Sequence, residues 1–362
     1  MTDEHYMKMA LKLARRGDGW TSPNPMVGAV IVKDNQVIGC GYHRKYGGAH
    51  AEINAINDVS GSVEGATFYV TLEPCSHHGK TPPCVDRIIE ANASRVVIGT
   101  VDPNPLVSGK GISILNDHGI ETEVGVLGEQ CESLNEKFFK FMRTGIPFIT
   151  LKYAQTLDGR IASSTGHSRW ISSEPSLRFA HRLRGLHDAV LVGIGTVATD
   201  NPDLRVRLVR GRNPLRIVVD STLRIPPGAR ILDNQDVAKT LIATGPLRGE
   251  GGLPMLEERN IETLIIDKKS NGILDLKKLL VELGKRQISS VLVEGGAGII
   301  TSFVKESLFD RIIAITAPKI LGRGIEAVGD MGISRMDDSV ALEFERICRK
   351  GDDIVTYLRR KD

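Results

Sequence analysis

One imidazole and two thiols in the N-terminal part of the chain have the types and order of a zinc site. His50 stands in His50-Ala51-Glu52, Cys75 in Thr71-Leu72-Glu73-Pro74-Cys75, and Cys84 in Thr81-Pro82-Pro83-Cys84. Three such ligands leave the fourth tetrahedral position of zinc for water, the open arrangement of a hydrolytic centre, where the metal brings the pKa of water towards neutrality. Glu52 lies two residues from His50, so on a helix the two side chains diverge. That suits a carboxylate that moves protons beside the metal better than a fourth ligand. Cys84 follows two prolines, which open a helix, and a helix N-terminus favours a thiolate. Each piece has a plainer reading: His-x-Glu arises by chance on helices, and cysteines are commonly buried thiols. The order of all the pieces within one α/β pattern points to hydrolytic zinc chemistry. His43, His77 and His78 are spare imidazoles, any one of which would serve as a ligand; His50 is preferred for the Glu beside it.

The second half carries weaker signals. Gly193-Ile194-Gly195-Thr196-Val197-Ala198 follows a strand and mimics a dinucleotide-binding loop, and Asp220 closes a later strand about where a ribose-binding acid would sit. Val293-Glu294-Gly295-Gly296-Ala297-Gly298 is a second strand-to-helix turn whose free N–H groups suit a phosphate. An ordinary tight turn explains the first equally well, and read alone the second is better taken as a tight connection.

The elements that must position these residues alternate regularly. Tyr6, Met9, Ala10 and Leu13 recur at helical spacing, and Val27 to Val32 turns at residues 33–36 into Val37-Ile38-Gly39, a hairpin. Helices are expected from Ala49, after Pro82-Pro83, and from Gly109 to His118. Strands are expected at Thr67 to Thr71, Arg95 to Thr100 and Glu121 to Val126. This is a three-layer α/β domain. One helix from Gly128 to Met142 should end at Thr144-Gly145-Ile146-Pro147, which places the boundary between domains 1–145 and 146–362. Beyond it the pattern resumes. Strands are expected at Phe148 to Tyr153, Ala189 to Ile194, Leu215 to Asp220, Thr240 to Ala243, Glu262 to Ile266, Ser290 to Val293 and Arg311 to Thr316, with a helix from Ser173 to Arg184. Leu204 to Asn213 is rich in Arg, and Gly245 to Gly252 reads as a flexible loop.

The deaminase signature places two residues between its cysteines, whereas this chain has eight, Ser76 to Pro83. With that insertion the segment from Thr71 to Cys84 resembles the deaminase half of the bifunctional riboflavin-biosynthesis deaminase/reductases. Ser22-Pro23-Asn24-Pro25-Met26-Val27-Gly28 and Asp102-Pro103-Asn104-Pro105 are further family-like stretches. In the second half, Leu151-Lys152, Thr156-Leu157-Asp158-Gly159-Arg160, Trp170-Ile171-Ser172-Ser173, Gly195-Thr196-Val197, Asp200-Asn201-Pro202 and Glu294-Gly295-Gly296 look like the family's reductase.

The resemblance covers nearly the whole chain. It implies a cytidine-deaminase-like domain followed by a dihydrofolate-reductase-like one, with one zinc and NADPH as cofactors. It implies that Asn24 and His43 face the deaminase substrate, a turn Asn and a surface His being the alternatives. NADPH would touch Ala154, Trp170, Thr196, Asp200, Ser221 and the turn Gly296, Ala297, Gly298, Ile299, Ile300, Thr301 and Ser302. Ser168, Arg184, Leu204, Arg207 and Glu294 would hold a phosphoribosyl substrate, the two guanidinium groups matching phosphate oxygens with paired donors. Lys152 and Asp200 are the candidates for polar work near the ribose. A Lys in an apolar strand is costly to bury without a purpose, and Asp200 would otherwise cap a helix N-terminus. The expected reactions are hydrolytic deamination of a diamino(phosphoribosylamino)pyrimidinone, with Glu52 shuttling the proton, then reduction of its ribosyl group.

Two rival readings are a deaminase of bases in RNA and a non-catalytic zinc or nucleotide module. The first calls for the short cysteine spacing and a basic groove, and the intact Glu52 argues against the second. With 47 basic and 44 acidic residues the net charge is +3, too small a surplus to imply a nucleic-acid partner. At 362 residues, 41% hydrophobic and 25% charged, the composition is that of a two-domain globular protein. No apolar run suits a membrane and no basic-then-apolar leader opens the chain. Five irregularly spaced cysteines point to a reducing compartment. A cytoplasmic enzyme acting on a small phosphorylated pyrimidine is expected, and the resemblance adds a homo-oligomer joined through the reductase domains.

Overall fold

A computed structural model describes residues 1–76, 82–105, 107–246 and 252–361. The spare imidazoles His77 and His78, and most of the loop expected at Gly245 to Gly252, lie outside the described residues. The chain divides into two compact units, Met1–Gly145 and Ile146–Asp362.

In the first unit, α1 (Asp3–Ala14) buries Tyr6, Met7, Ala10, Leu11 and Ala14 along one face. β1 (Gly28–Lys33) and β2 (Gln36–Tyr42) form the expected hairpin. Asp34 and Asn35 turn it with φ of 51° and 61°, the left-handed pair that a two-residue hairpin turn requires. Next come α2 (Ala51–Ile56), β3 (Thr67–Val70), α3 (Cys84–Glu90), β4 (Arg95–Ile98), α4 (Lys110–Asp117), β5 (Glu121–Val124), α5 (Gly128–Leu134) and α6 (Glu136–Thr144). The sheet order is β2-β1-β3-β4-β5, with β3, β4 and β5 parallel. Strand alternation sorts its two faces. Ala29, Ile31, Phe68, Val70, Val96 and Ile98 pack with Ala51, Ala55, Val85, Ile88 and Leu115 on one side. Val30, Val32, Tyr69 and Val97 pack with α1 and Cys131 on the other. Helix, sheet and helix make the three layers.

The single helix expected over Gly128 to Met142 is instead two helices, broken at Asn135. That side chain accepts the Met26 N–H at 2.8 Å and donates to the Met26 carbonyl at 2.9 Å. These bonds hold the segment before β1 at the expense of helical continuity.

The second unit comprises β6 (Phe148–Thr156), β7 (Arg160–Ser163), α7 (Glu174–Gly185), β8 (Ala189–Gly193), α8 (Ile194–Asp200), β9 (Leu215–Val219), β10 (Thr240–Thr244), α9 (Leu253–Glu258) and β11 (Glu262–Ile265). It continues with α10 (Leu276–Lys285), β12 (Ser290–Val293), α11 (Ala297–Lys305), β13 (Arg311–Ala317), β14 (Gly324–Glu326), β15 (Leu342–Lys350) and β16 (Asp353–Arg360). Its large sheet runs β11-β10-β9-β8-β12-β6-β13-β16-β15, parallel from β11 to β13 and closed by an antiparallel hairpin. β7 and β14 pair separately. Among the described residues no helix is long and apolar enough to cross a membrane.

Candidate active sites

Zinc bound tetrahedrally at about 2.0–2.3 Å sets neighbouring nitrogen and sulfur ligands roughly 3.5–3.8 Å apart. His50 caps the N-terminus of α2, Cys84 opens α3, and Cys75 ends the segment that leaves β3. Nδ1 of His50 lies 3.3 Å from Sγ of Cys84 and 3.5 Å from Sγ of Cys75. All three ligand atoms fall within 4.8 Å of one another. The donor set and its spacing fit zinc. Pairing with Cys84 and with His50 lowers the Cys75 thiol to about 4, and pairing with Cys75, with burial and nearby Glu52, raises Cys84.

Glu52, in the first turn of α2, is buried, and burial lifts its carboxyl to about 7. Beside it the His43 ring stands edge-on to His50, with centroids 5.3 Å apart. Nδ1 of His43 donates to the Ala49 carbonyl at 3.1 Å, which leaves Nε2 to accept from the Asn24 amide at 3.4 Å. Asn24, His43, His50, Glu52, Cys75 and Cys84 thus converge from four separate stretches of sequence.

In the second unit, a cavity of about 300 Å³ opens between the starts of α8 and α11, lined by Ser168, Thr196, Asp200, Gly296, Ala297, Gly298 and Ile299 among others. The Gly296 N–H donates to the Thr196 hydroxyl at 2.9 Å, fastening the two turns together. Two N-terminal helix turns facing one cavity suit a phosphate-bearing cofactor. The rest of the expected cofactor set is dispersed. Ile300 is buried in the core, while Thr301 and Ser302 bond back to the Ala297 and Gly298 carbonyls. Ala154 packs on a small cluster around Leu183 and Leu292. Trp170 is 66% exposed, its carbonyl accepting from Lys319. Ser221 follows β9, its carbonyl meeting the Gly245 N–H at 3.4 Å. Asp200 is the last residue of α8, so it is no N-cap; burial raises its carboxyl. Asp220 is fully buried at the end of β9, where burial raises its carboxyl and the backbone N–H groups of Arg224, Ile225 and Thr222 act the other way.

A charged cluster forms where α7 faces the end of β12. Arg184 grips Glu294 through two parallel bonds, Nε to Oε1 at 2.9 Å and Nη2 to Oε2 at 2.7 Å. Burial alone would raise the Glu294 carboxyl, but Arg184 and Lys152 hold it at about 2. Burial lowers the Lys152 ammonium in turn. The sequence assigns the paired donors of Arg184 to a phosphate; the structure turns that pair to Glu294, and Nη1 to the Arg205 carbonyl at 3.4 Å. Arg207 is the more available guanidinium, with half of its side chain exposed. Leu204 is buried with a φ of 62°, turning the Arg-rich segment beneath α7.

Two residues of these sites escape the sequence reading. His181 lies one helical turn before Arg184, and its Nδ1 accepts the Arg207 N–H at 3.0 Å, so the ring proton sits on Nε2. Burial and then Arg184 lower its pKa to about 4, keeping it neutral. The spacing of three from Arg184 is the available signal. Glu73 accepts four backbone N–H groups beside the zinc cluster; its signal is an acid next to Pro74-Cys75.

Comparison with known proteins identifies the family. The family model described as Cytidine and deoxycytidylate deaminase zinc-binding region matches residues 1–100, and the one described as RibD C-terminal domain matches residues 147–356. The riboflavin biosynthesis protein RibD of Aquifex aeolicus is 44% identical over 359 residues, covering 99% of this chain and 98% of its own length. A solved structure of Acinetobacter baumannii RibD superposes with a TM-score of 0.91 at 37% identity over 99% of both chains. The Thermotoga maritima diaminohydroxyphosphoribosylaminopyrimidine deaminase/5-amino-6-(5-phosphoribosylamino)uracil reductase gives 0.86, also at 37% identity and 99% of both chains. This chain therefore belongs to the RibD family, the bifunctional enzymes of riboflavin biosynthesis that join a zinc-dependent deaminase to an NADPH-dependent reductase.

Proposed function

We propose that residues 1–145 deaminate the diaminopyrimidine phosphoribosyl compound named for the Thermotoga maritima relative, and that residues 146–362 reduce the resulting phosphoribosylaminouracil to its ribitylamino form. The observation that carries this reading is the cluster of His50, Cys75 and Cys84 at ligand spacing with buried Glu52 beside it. Zinc, when bound, supplies the Lewis acidity that makes water a nucleophile near neutral pH. Glu52 takes the proton from that water and delivers it to the departing amine. Asn24 and His43, paired to each other, orient the pyrimidine ring.

In the second unit NADPH, when bound, supplies the hydride. The turns at Thr196 and at Gly296 to Gly298 would hold its phosphates. Arg207 and Ser168 hold the substrate phosphate. Arg184 and Glu294, locked to each other, carry the charge beside Lys152, and Lys152 and Asp200 act on the ribosyl group. An ammonia-release assay on the diaminopyrimidine substrate, run with and without NADPH, tests both halves. Ammonia should appear in both, and NADPH consumption should follow only after it. Ammonia release that requires NADPH, or NADPH consumed without prior deamination, overturns the assignment.

A further inference from the structure

Glu73 has no part in the chemistry above, yet its surroundings are elaborate. The side chain is 3% exposed. Its Oε2 accepts N–H groups of Asp102 at 3.2 Å and Gly109 at 2.9 Å, and its Oε1 those of Gly111 at 3.0 Å and Ile112 at 3.4 Å. Its own N–H donates to the Thr100 carbonyl at 2.9 Å. The buried carboxylate is thus satisfied by the opening turn of α4, where orphan N–H groups and the helix dipole both favour negative charge. Close approach is part of the arrangement: a Cβ on Gly111 would meet the Pro74 carbonyl oxygen at 2.3 Å.

The clamp matters because of the two residues after Glu73. Pro74 fixes its own φ, and Cys75 comes next. On its other side Cys75 is held by α3, whose Val85 N–H donates to the Cys75 carbonyl at 3.3 Å and whose Cys84 N–H meets the Cys75 sulfur at 3.3 Å. Cys75 is therefore a sulfur set between two anchored helix starts, and one of the anchors is Glu73.

We infer that Glu73 is a positioning residue for the metal centre: its carboxylate ties the Cys75 segment to the start of α4 and so sets the place of the Cys75 sulfur. The inference rests on the reading of His50, Cys75 and Cys84 as the ligands. It also gives work to Asp102-Pro103-Asn104-Pro105. The Asp102 N–H is one of the four donors, and the Asp102 carboxylate accepts the Asn104 N–H at 2.8 Å, which keeps that turn folded inwards.

Full-length Glu73→Gln is the test, because it replaces one acceptor oxygen with an NH2 group facing backbone donors. The readouts are zinc affinity by chelator competition and the visible absorption of the cobalt-substituted protein, which reports coordination geometry. Supporting ligands from outside the coordination sphere costs roughly 10–100-fold in metal affinity when lost, and a loss of that size with an altered cobalt spectrum is expected. Leu115→Ala, a cavity in the same helix away from the clamp, should lower stability and keep the native cobalt spectrum. Zinc affinity within about twofold of wild type and an unchanged cobalt spectrum in Glu73→Gln overturn the inference. Should that variant not fold, Gly111→Ala presses on the Pro74 carbonyl with every hydrogen-bonding group kept. It should give the same two changes, and native values, or failure of this variant to fold as well, overturn the claim that the clamp acts on the metal centre. Cys75→Ser separates the two levels. If it keeps wild-type zinc affinity, the ligand assignment fails; if it loses zinc while Glu73→Gln does not, only the role of Glu73 fails.

Discussion

Replacing Glu52 by Gln keeps the side chain's shape and removes its capacity to carry a proton. Removing a general acid–base group costs about 10²–10⁴-fold in rate, so deamination should fall by at least that much while zinc stays bound and reduction of the deaminated substrate proceeds as before. Loss of zinc along with the carboxylate would make Glu52 a ligand instead. Glu294 offers a different handle. Its carboxyl sits at about 2 against an ordinary 4.5, and a depressed carboxylate contributes stability that is full above the unfolded value and lost as pH falls through the folded one. Breaking a buried pair costs about 3–5 kcal/mol, so Glu294→Gln should destabilise the second unit by that amount at pH 7. The gap to wild type should narrow as pH falls from about 4.5 towards 2; urea unfolding at several pH values reads it, and a pH-independent gap contradicts the assigned pair. Residue identity is readable where chemistry is local: His50 and Glu52 are two positions apart, and Cys84 announces itself after two prolines. Glu73 is not, because its partners lie 29 to 39 positions away and are backbone groups that no residue type betrays.

At the scale of elements, the deaminase site depends on α2 lying hard against the hairpin. A Cβ on Gly41 in β2 would meet the Ala51 carbonyl oxygen at 2.2 Å and the Ala55 nitrogen at 2.3 Å, both backbone atoms of α2. Gly41→Ala must therefore move that helix, and with it His50 and Glu52. Deamination should drop by more than tenfold with a parallel loss of zinc affinity, while the reductase keeps its rate; a variant with normal deamination would show that α2 has slack. The helices and strands that feed both sites are legible because they bury one face or both. The closing hairpin β15–β16 is not: β15 is Leu-Glu-Phe-Glu-Arg-Ile-Cys-Arg-Lys, with Phe344 and Ile347 exposed by 65% and 60%, so the apolar signal that marks a strand is sparse. The break at Asn135 is hidden for the opposite reason. Its surroundings favour helix, and only its bonds to distant Met26 stop it.

For the whole molecule, each unit holds hydrophobic clusters of its own, Ala29 to Ile120 in one and Ile149 to Ile312 in the other. A polypeptide starting at Gly145 should fold alone, oxidise NADPH with the deaminated substrate and ignore the amino precursor. An unfolded or inert product would show that the first unit is needed. Chelation of zinc from the full chain should silence ammonia release and leave that oxidation untouched.

Two compact units on one polypeptide, Met1–Gly145 and Ile146–Asp362, also have a genetic consequence. On the roles proposed above for Glu52 and Lys152, a cell lacking its own copy and carrying one allele with Glu52→Gln and another with Lys152→Met holds one good half on each of two chains. The intermediate is a small molecule, so it can leave the first chain and reach the second. Such a cell should grow without added riboflavin although neither allele alone permits it, whereas two alleles damaged in the same unit should fail to rescue each other.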